Sequence, residues 1–352
     1  MNKRILAFGL LFLSLSCFAQ SFGVKDLKDS AAKGDEYSQL LLGLLYKNGQ
    51  GLEPSFINAA EQFMMSASQG NGAACYELGQ FYEEGYGYRQ SYKKAAEWYR
   101  RGVIFGEQRC NYALAKLLVE SRVKKFEDEN PDKMFEKAWD YFEARAKKDE
   151  FENNYYLGKM SFSGWGTLRS PHKALSYFKL GADNYDGPCL YEYAKFYLKG
   201  MIVEASAKKG IGYLESAVEN YSVGAMKMKL RLAQVGDKHL FLLPSREQQL
   251  LLEKNLADRG VSEFQFTYGM RLKKYNMREF RLTGVSYLEK SANQQWVPAE
   301  FELGQILIFG KYAVKQEINR GKMYLQSAAD SGHPKAKRLL HELRKHSGDS
   351  KS

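Results

Sequence analysis

The sequence contains little of what catalytic and metal sites are usually made from. Its 352 residues include five histidines and four cysteines, and His172, His239 and His333 are scattered over separate repeats with no cysteine near them at metal-ligand spacing. His341 and His346 are five residues apart, so on one helix they would point about 140° away from each other. Neither a Gly-x-x-x-x-Gly-Lys phosphate loop nor a Gly-x-Ser-x-Gly nucleophile elbow occurs. These absences predict a protein that is not an enzyme and holds no metal ion or cofactor.

Long apolar runs are equally scarce, and the one candidate lies at the N-terminus. Lys3 and Arg4 precede an apolar stretch, which ends at Cys17 and a small-x-small cleavage site at Ala19. The stretch is shorter than the roughly 20 residues that a membrane-spanning helix needs. We therefore expect residues 1–19 to be a signal peptide and the mature chain to be periplasmic. Secretion, a retained anchor and a lipid-modified Cys17, which would tether the protein to a membrane, are the alternatives.

Acidic residues are outnumbered by basic ones. The net charge is +11, and without residues 1–19 the chain keeps 50 basic and 41 acidic residues, a net charge of +9. Such an excess favours anionic partners, although it is equally compatible with ordinary solubility over a large surface. Nucleic acid would satisfy the same charge, but export argues against it. We therefore expect a protein or acidic peptide as the partner, with an anionic polysaccharide as the alternative.

What the sequence does have is a repeat of about 36 residues. One position, which is a small residue in seven segments and a leucine in the sixth, recurs in eight segments at steps of 36, 36, 43, 36, 36, 39 and 35 residues. Self-similarity at such a period is the signature of a stacked solenoid. This column of residues consists of Gly43, Gly79, Ala115, Gly158, Ala194, Leu230, Gly269 and Gly304.

Each segment has the internal pattern of a helix hairpin. In the second segment an apolar helical pattern over 74–82 runs into Gly85-Tyr86-Gly87, and a second pattern follows over 92–99. Glycine is favoured at such a turn because a helix often ends on a residue with positive φ, which glycine adopts at little cost. The repeating unit is therefore predicted to be two helices joined by a tight turn.

The residues of the unit resemble a known family. The order Ala-x-x-x-Leu-Gly-x-x-Tyr, Gly-x-Gly, Lys-Ala-x-x-Trp/Tyr-Tyr/Phe and Ala-x-x-Gly resembles Sel1-like repeats, which are related to tetratricopeptide repeats. The match is closest over 74–102 and 156–181, and good over 42–70 and 299–332. The resemblance implies an all-α fold, a right-handed α-solenoid of about eight hairpins. It also implies an exported bacterial scaffold that presents a surface to partners.

The solenoid is expected to span residues 31–332, after a lead-in at 20–30. Its last unit needs a cover, because a single hairpin cannot bury its own apolar face. Residues 333–346 are predicted to form this capping helix, followed by a disordered tail at 347–352. The apolar face of the cap consists of Ala336, Leu339, Leu340 and Leu343.

The three cysteines of the mature chain are an odd number. Cys75 and Cys110 fall at nearly equivalent places in adjacent hairpins, where helix axes about 8–10 Å apart make a disulfide awkward. Buried free thiols are therefore favoured for these two residues and for Cys189.

A two-row pattern on the first helices is the candidate binding site. Tyrosine stands three residues before the column in units two to five, and a cation stands one residue after it in units three to six. These positions lie one turn apart on one helix face, and in related solenoids that face is concave. The aromatic row is also compatible with packing between hairpins. We predict that the protein binds its partner along this concave face, through a stripe consisting of Tyr76, Tyr112, Tyr155, Tyr191, Lys116, Lys159, Lys195 and Arg231.

Overall fold

The computed structural model describes residues 23–238, 240 and 242–348, with side chains up to Arg344. The expected signal peptide at 1–19 and residues 349–352 of the expected tail lie outside this part. The described residues form eighteen α-helices and a single isolated β-bridge, between Asp237 and Leu242. None of these helices is both long enough and apolar enough to cross a membrane.

The helices follow one another in a regular order. Their bounds are α1 Val24–Ala32, α2 Glu36–Asn48, α3 Phe56–Ser68, α4 Gly72–Glu84, α5 Tyr92–Ile104, α6 Gln108–Val119, α7 Pro131–Ala146, α8 Asn153–Ser163, α9 Pro171–Asp183, α10 Gly187–Lys199, α11 Ala207–Glu219, α12 Val223–Val235, α13 Arg246–Asp258, α14 Ser262–Leu272, α15 Arg278–Asn293, α16 Val297–Phe309, α17 Ile318–Asp330 and α18 Pro334–Gly348.

Helices α2 to α17 form eight consecutive hairpins, which we call units one to eight, and each helix packs on its neighbours in the chain. The predicted solenoid of about eight hairpins is thereby confirmed. Helix α1 lies largely in the stretch expected as a lead-in, and it packs on α2, where the Gln39 side-chain amide donates to the Ala31 carbonyl over 3.1 Å. The sequence pattern missed this helix because it precedes the first repeat.

In most units a turn glycine ends the first helix and a side-chain cap begins the second, whereas unit seven has neither. In unit two, Gly85 ends α4 at φ 75°, and the Ser91 hydroxyl accepts from the Lys94 amide over 3.3 Å to begin α5. A side-chain oxygen at this position satisfies one of the amides that a helix start leaves without a partner. The alternation of turn glycine and serine cap therefore divides the period into two helices.

The column glycines are where the two helices of a unit cross. The ring of Tyr99 lies directly on Gly79, and Phe178 lies in the same way on Gly158. Both rings are essentially inaccessible to solvent. The core of units one, two and four is thus an aromatic ring of the second helix packed on a glycine of the first, whereas leucines lie on the column glycines of units seven and eight.

The cysteines and the cap have the structure that was expected, except that α18 runs to Gly348, two residues into the expected disordered tail. Cys75, Cys110 and Cys189 are free and buried, and burial raises the pKa of Cys75 to about 11, which makes its thiol unreactive. Helix α18 covers unit eight, with Ala336 and Leu340 packed among residues such as Leu325.

The two ends of the solenoid also touch each other. The Gly87 amide, in the turn of unit two, donates to the Gln294 side-chain oxygen in unit seven over 2.8 Å. The Arg89 guanidinium donates to the Ser331 hydroxyl after unit eight over 2.9 Å, and Phe56 packs against Gly260. We call this set of interactions the closure contact. The turns within hairpins form one edge of the solenoid, the turn edge, and the loops between hairpins form the other, the loop edge. The closure contact brings the turn edge of the first units against the loop edge of the last units.

Candidate functional site

Two of the four stripe tyrosines lie in the core. Tyr76 is 3% and Tyr112 5% exposed. Both contact Tyr156 of unit four: its hydroxyl lies 2.7 Å from that of Tyr76, and its ring centroid lies 5.3 Å from that of Tyr112. Burial raises the pKa of both tyrosines well above the usual value, so they remain neutral. These two rings support the curvature of units two to four and offer little surface to a ligand.

A partly buried ion pair that the sequence pattern did not indicate supports this cluster. The Arg109 guanidinium lies 4.6 Å from the centre of the Tyr76 ring and 2.9 Å from the Glu107 carboxylate. Burial alone would raise the pKa of Glu107, but the charge and hydrogen bonds of Arg109 hold it below the usual value. The pair is local, two residues apart at the start of α6, and no repeat position marks it.

The cations of the stripe differ in their partners. Lys116 is paired with Glu83 in the neighbouring unit. Lys159 and Lys195 share a single carboxylate, Glu192, over 3.4 and 2.7 Å. Arg231 is exposed and forms no ion pair with any residue that the structure describes.

Tyr155 and Tyr191 lie beside these cations in units four and five, and both are partly accessible. The Lys195 ammonium lies 5.1 Å from the centre of the Tyr191 ring. The structure therefore groups five of the eight stripe residues on the first helices of units four to six. We call this group the basic segment, which consists of Tyr155, Lys159, Tyr191, Lys195 and Arg231.

The basic segment has an excess of positive charge that units two and three lack. In those units Lys116 faces Glu83, and Lys47 of unit one lies 2.5 Å from Glu77. In units four to six one carboxylate, Glu192, faces two lysines and leaves Arg231 uncompensated. Among the described residues no cluster of three or more histidine, cysteine or acidic side chains could hold a metal ion. What the segment can offer chemically is charge-assisted hydrogen bonds and ring faces.

Comparison with known proteins identifies the repeat. The family model named Sel1 repeat matches residues 36–71, 72–103, 154–186, 187–222 and 297–333. These matches correspond to units one, two, four, five and eight. Units three, six and seven form the same hairpins without matching. No curated protein matches the chain significantly.

Solved structures of similar proteins come from several bacteria. A Sel1 repeat protein from Oxalobacter formigenes is 20% identical over 95% of this chain and 93% of its own, with a TM-score of 0.49. The protective antigen c5321 of uropathogenic Escherichia coli, described as having an SLR fold, is 20% identical over 95% and 71%, with a TM-score of 0.45. A Sel1 repeat protein from Klebsiella pneumoniae is 14% identical over 58% and 99%, with a TM-score of 0.31.

Proposed function

Because the chain is a Sel1 repeat protein, and Sel1 repeats generally serve as protein-interaction scaffolds, we propose that it is a non-enzymatic scaffold whose basic segment binds an acidic region of a protein partner. The observation that carries this proposal is the arrangement around Glu192. One carboxylate serves both Lys159 and Lys195, so each lysine has donors left for a second acceptor.

The partner chemistry follows from the same side chains. Arg231 can form a bidentate contact with a carboxylate, and the ring of Tyr191 offers apolar area beside the Lys195 ammonium. Charges of this kind orient a partner and speed its association, while a buried aromatic anchor holds it. An acidic segment with one apolar side chain would satisfy both groups.

We expect reversal of the three cations to weaken partner binding by at least about tenfold, because it removes the attraction and adds repulsion. The variant combines Lys159→Glu, Lys195→Glu and Arg231→Glu. Immobilised wild-type and variant proteins would be incubated with extract of the native host, and captured proteins would be quantified by mass spectrometry at low and high salt. Circular dichroism would show whether the variant stays helical, and glutamine at the same positions replaces glutamate if it does not.

A matched control separates the segment from general charge. Lys147→Glu, Lys179→Glu and Lys254→Glu make the same change in net charge on exposed lysines in or directly after second helices, each paired with an acid four residues away. This control should bind as the wild type does. Equal loss in both triple variants, or loss in neither, would remove the basic segment as the binding site.

We also propose that this scaffold works outside the cytoplasm, which rests on the signal-peptide pattern of residues 1–19. The protein purified from its native host should begin at Gln20, as measured by intact mass and N-terminal peptide mapping. A lipid on Cys17 would change the proposal to a membrane-tethered scaffold. A chain that retains Met1 would contradict export.

A further inference from the structure

The loops that join units four to five and five to six carry two tyrosines in an unfavourable backbone conformation. Tyr185 has φ 58° and Tyr221 has φ 64°, both in the left-handed region. Glycine occupies the equivalent position after units one, two, six and eight, at Gly70, Gly106, Gly260 and Gly332, and Asp149 and Gln295 occupy it after units three and seven. A residue with a Cβ costs roughly 1–2 kcal/mol more than glycine there, and a bulky aromatic residue is less common at positive φ than Asp or Asn.

Both tyrosine rings face solvent. Tyr185 is 72% and Tyr221 56% exposed, and the Tyr185 side chain makes no hydrogen bond or ring contact with any described residue. An exposed ring gains none of the free energy that burial of its apolar area would supply. No described residue offsets this for Tyr185, and only the Arg259 guanidinium contacts the Tyr221 ring, so a ligand would compensate the strain and exposure that remain.

An arginine without an acidic partner lies next to the second ring. The Arg259 guanidinium carbon is 4.5 Å from the centre of the Tyr221 ring, and no ion pair to Arg259 exists among the described residues. Arg259 is partly buried, and burial lowers its pKa. A desolvated guanidinium without a counter-ion favours a carboxylate or a similar planar anion.

We propose that this loop edge, consisting of Tyr185, Tyr221 and Arg259, binds a polysaccharide that carries uronic acid residues. Pyranose rings would stack their C–H faces on the two tyrosines, and a uronate carboxylate would accept hydrogen bonds from Arg259. The edge is separate from the concave basic segment, so either proposal can fail without the other.

The arrangement of the rings favours a sugar polymer over an acidic peptide. The two rings occupy the same position in neighbouring units, each in the loop that follows the second helix. A polymer of stiff rings presents stacking faces at regular intervals, whereas glutamate and aspartate side chains offer carboxylates without a face. Two exposed tyrosines on one edge with one arginine therefore fit a uronate chain, which offers both stacking faces and carboxylates, better than an acidic peptide.

The test uses oligogalacturonates of defined length as the uronate probe and measures their affinity by isothermal titration calorimetry. The double variant Tyr185→Gly/Tyr221→Gly should bind at least tenfold more weakly while its unfolding midpoint stays the same or rises, because glycine relieves the left-handed strain. Arg259→Gln should also bind about tenfold more weakly, since a charge-assisted hydrogen bond is lost, and should reduce the dependence of affinity on salt.

Controls decide whether the edge is the site. Tyr275→Ser removes a tyrosine that is 48% exposed on the opposite, turn edge, and should leave binding unchanged. A neutral polymer such as dextran should not bind. The proposal is overturned if the wild type does not bind oligogalacturonate, or if Tyr275→Ser weakens binding as much as the double variant does. Poly-L-glutamate that binds equally tightly through the same three residues would overturn the sugar assignment and indicate an acidic protein instead.

Discussion

Replacement of Gly79 by alanine is expected to destabilise the protein by at least about 1–3 kcal/mol, the usual cost of overpacking a core. Helix propensity acts in the opposite direction, since alanine is favoured over glycine by about 1 kcal/mol in a helix interior. The structure decides between the two effects: a Cβ on Gly79 would lie 2.1 Å from the nearest carbon of the Tyr99 ring. Tyr99 cannot withdraw, because its hydroxyl donates to Glu83 over 2.8 Å in the core.

Gly212 provides the matched control for this experiment. It lies inside α11, and a Cβ there would meet no atom within 4 Å. Gly212→Ala should therefore stabilise the protein by about 1 kcal/mol through propensity alone. Urea denaturation followed by circular dichroism would compare the midpoints of both variants with the wild type. A Gly79→Ala variant as stable as Gly212→Ala would contradict the close crossing of α4 and α5.

Deletion of residues 333–352 is expected to cause aggregation, or loss of hydrogen-exchange protection that begins in units seven and eight. The deletion removes α18 and exposes residues that it buries, including Leu325 and Ile308. It also removes His333, whose ring stacks on Phe301 at 4.3 Å. Terminal caps keep stacked repeats soluble because the last unit has no neighbour.

Point variants in the cap test the same idea with less disruption. Ala336 is fully buried and Lys337 is exposed, although they are adjacent in α18. Ala336→Asp should detach the cap, since a carboxylate without a partner is costly to bury, whereas Lys337→Asp should have little effect. Hydrogen exchange with mass spectrometry would locate the loosened region. A soluble deletion variant with uniform protection would show that α18 is not needed as a cap.

The hairpins could be predicted from the sequence because each one is a local pattern. The residue pair Leu78-Gly79, the turn glycine Gly85 and the cap Ser91 lie within one period, and together they specify two helices and their crossing. The column also predicted the hairpins of units three and six, where Ala115 and Leu230 stand in place of glycine, and of unit seven, which keeps Gly269. Local geometry is enough for such elements, since every unit contacts mainly its neighbours.

The accessibility of the stripe could not be predicted in the same way. Tyr76, Tyr112, Tyr155 and Tyr191 occupy one repeat position, yet the first two are buried and the last two are not. The difference arises from Tyr156, which reaches across unit three to the Tyr76 hydroxyl. Contacts that skip a unit depend on the curvature of the stack, which a period does not encode. The partner-binding role of the stripe residues stays a prediction.

The closure contact constrains the curvature of the solenoid, because it fixes the first units against the last ones. In an open stack, a small change in the angle between two hairpins displaces everything beyond it and meets no resistance. Here Gly87 and Gln294 are joined although 207 residues separate them, so added curvature in one unit must be taken up by the others or must break the contact. A ligand that flattens or tightens units four to six would thus do elastic work on a hydrogen bond that it never touches.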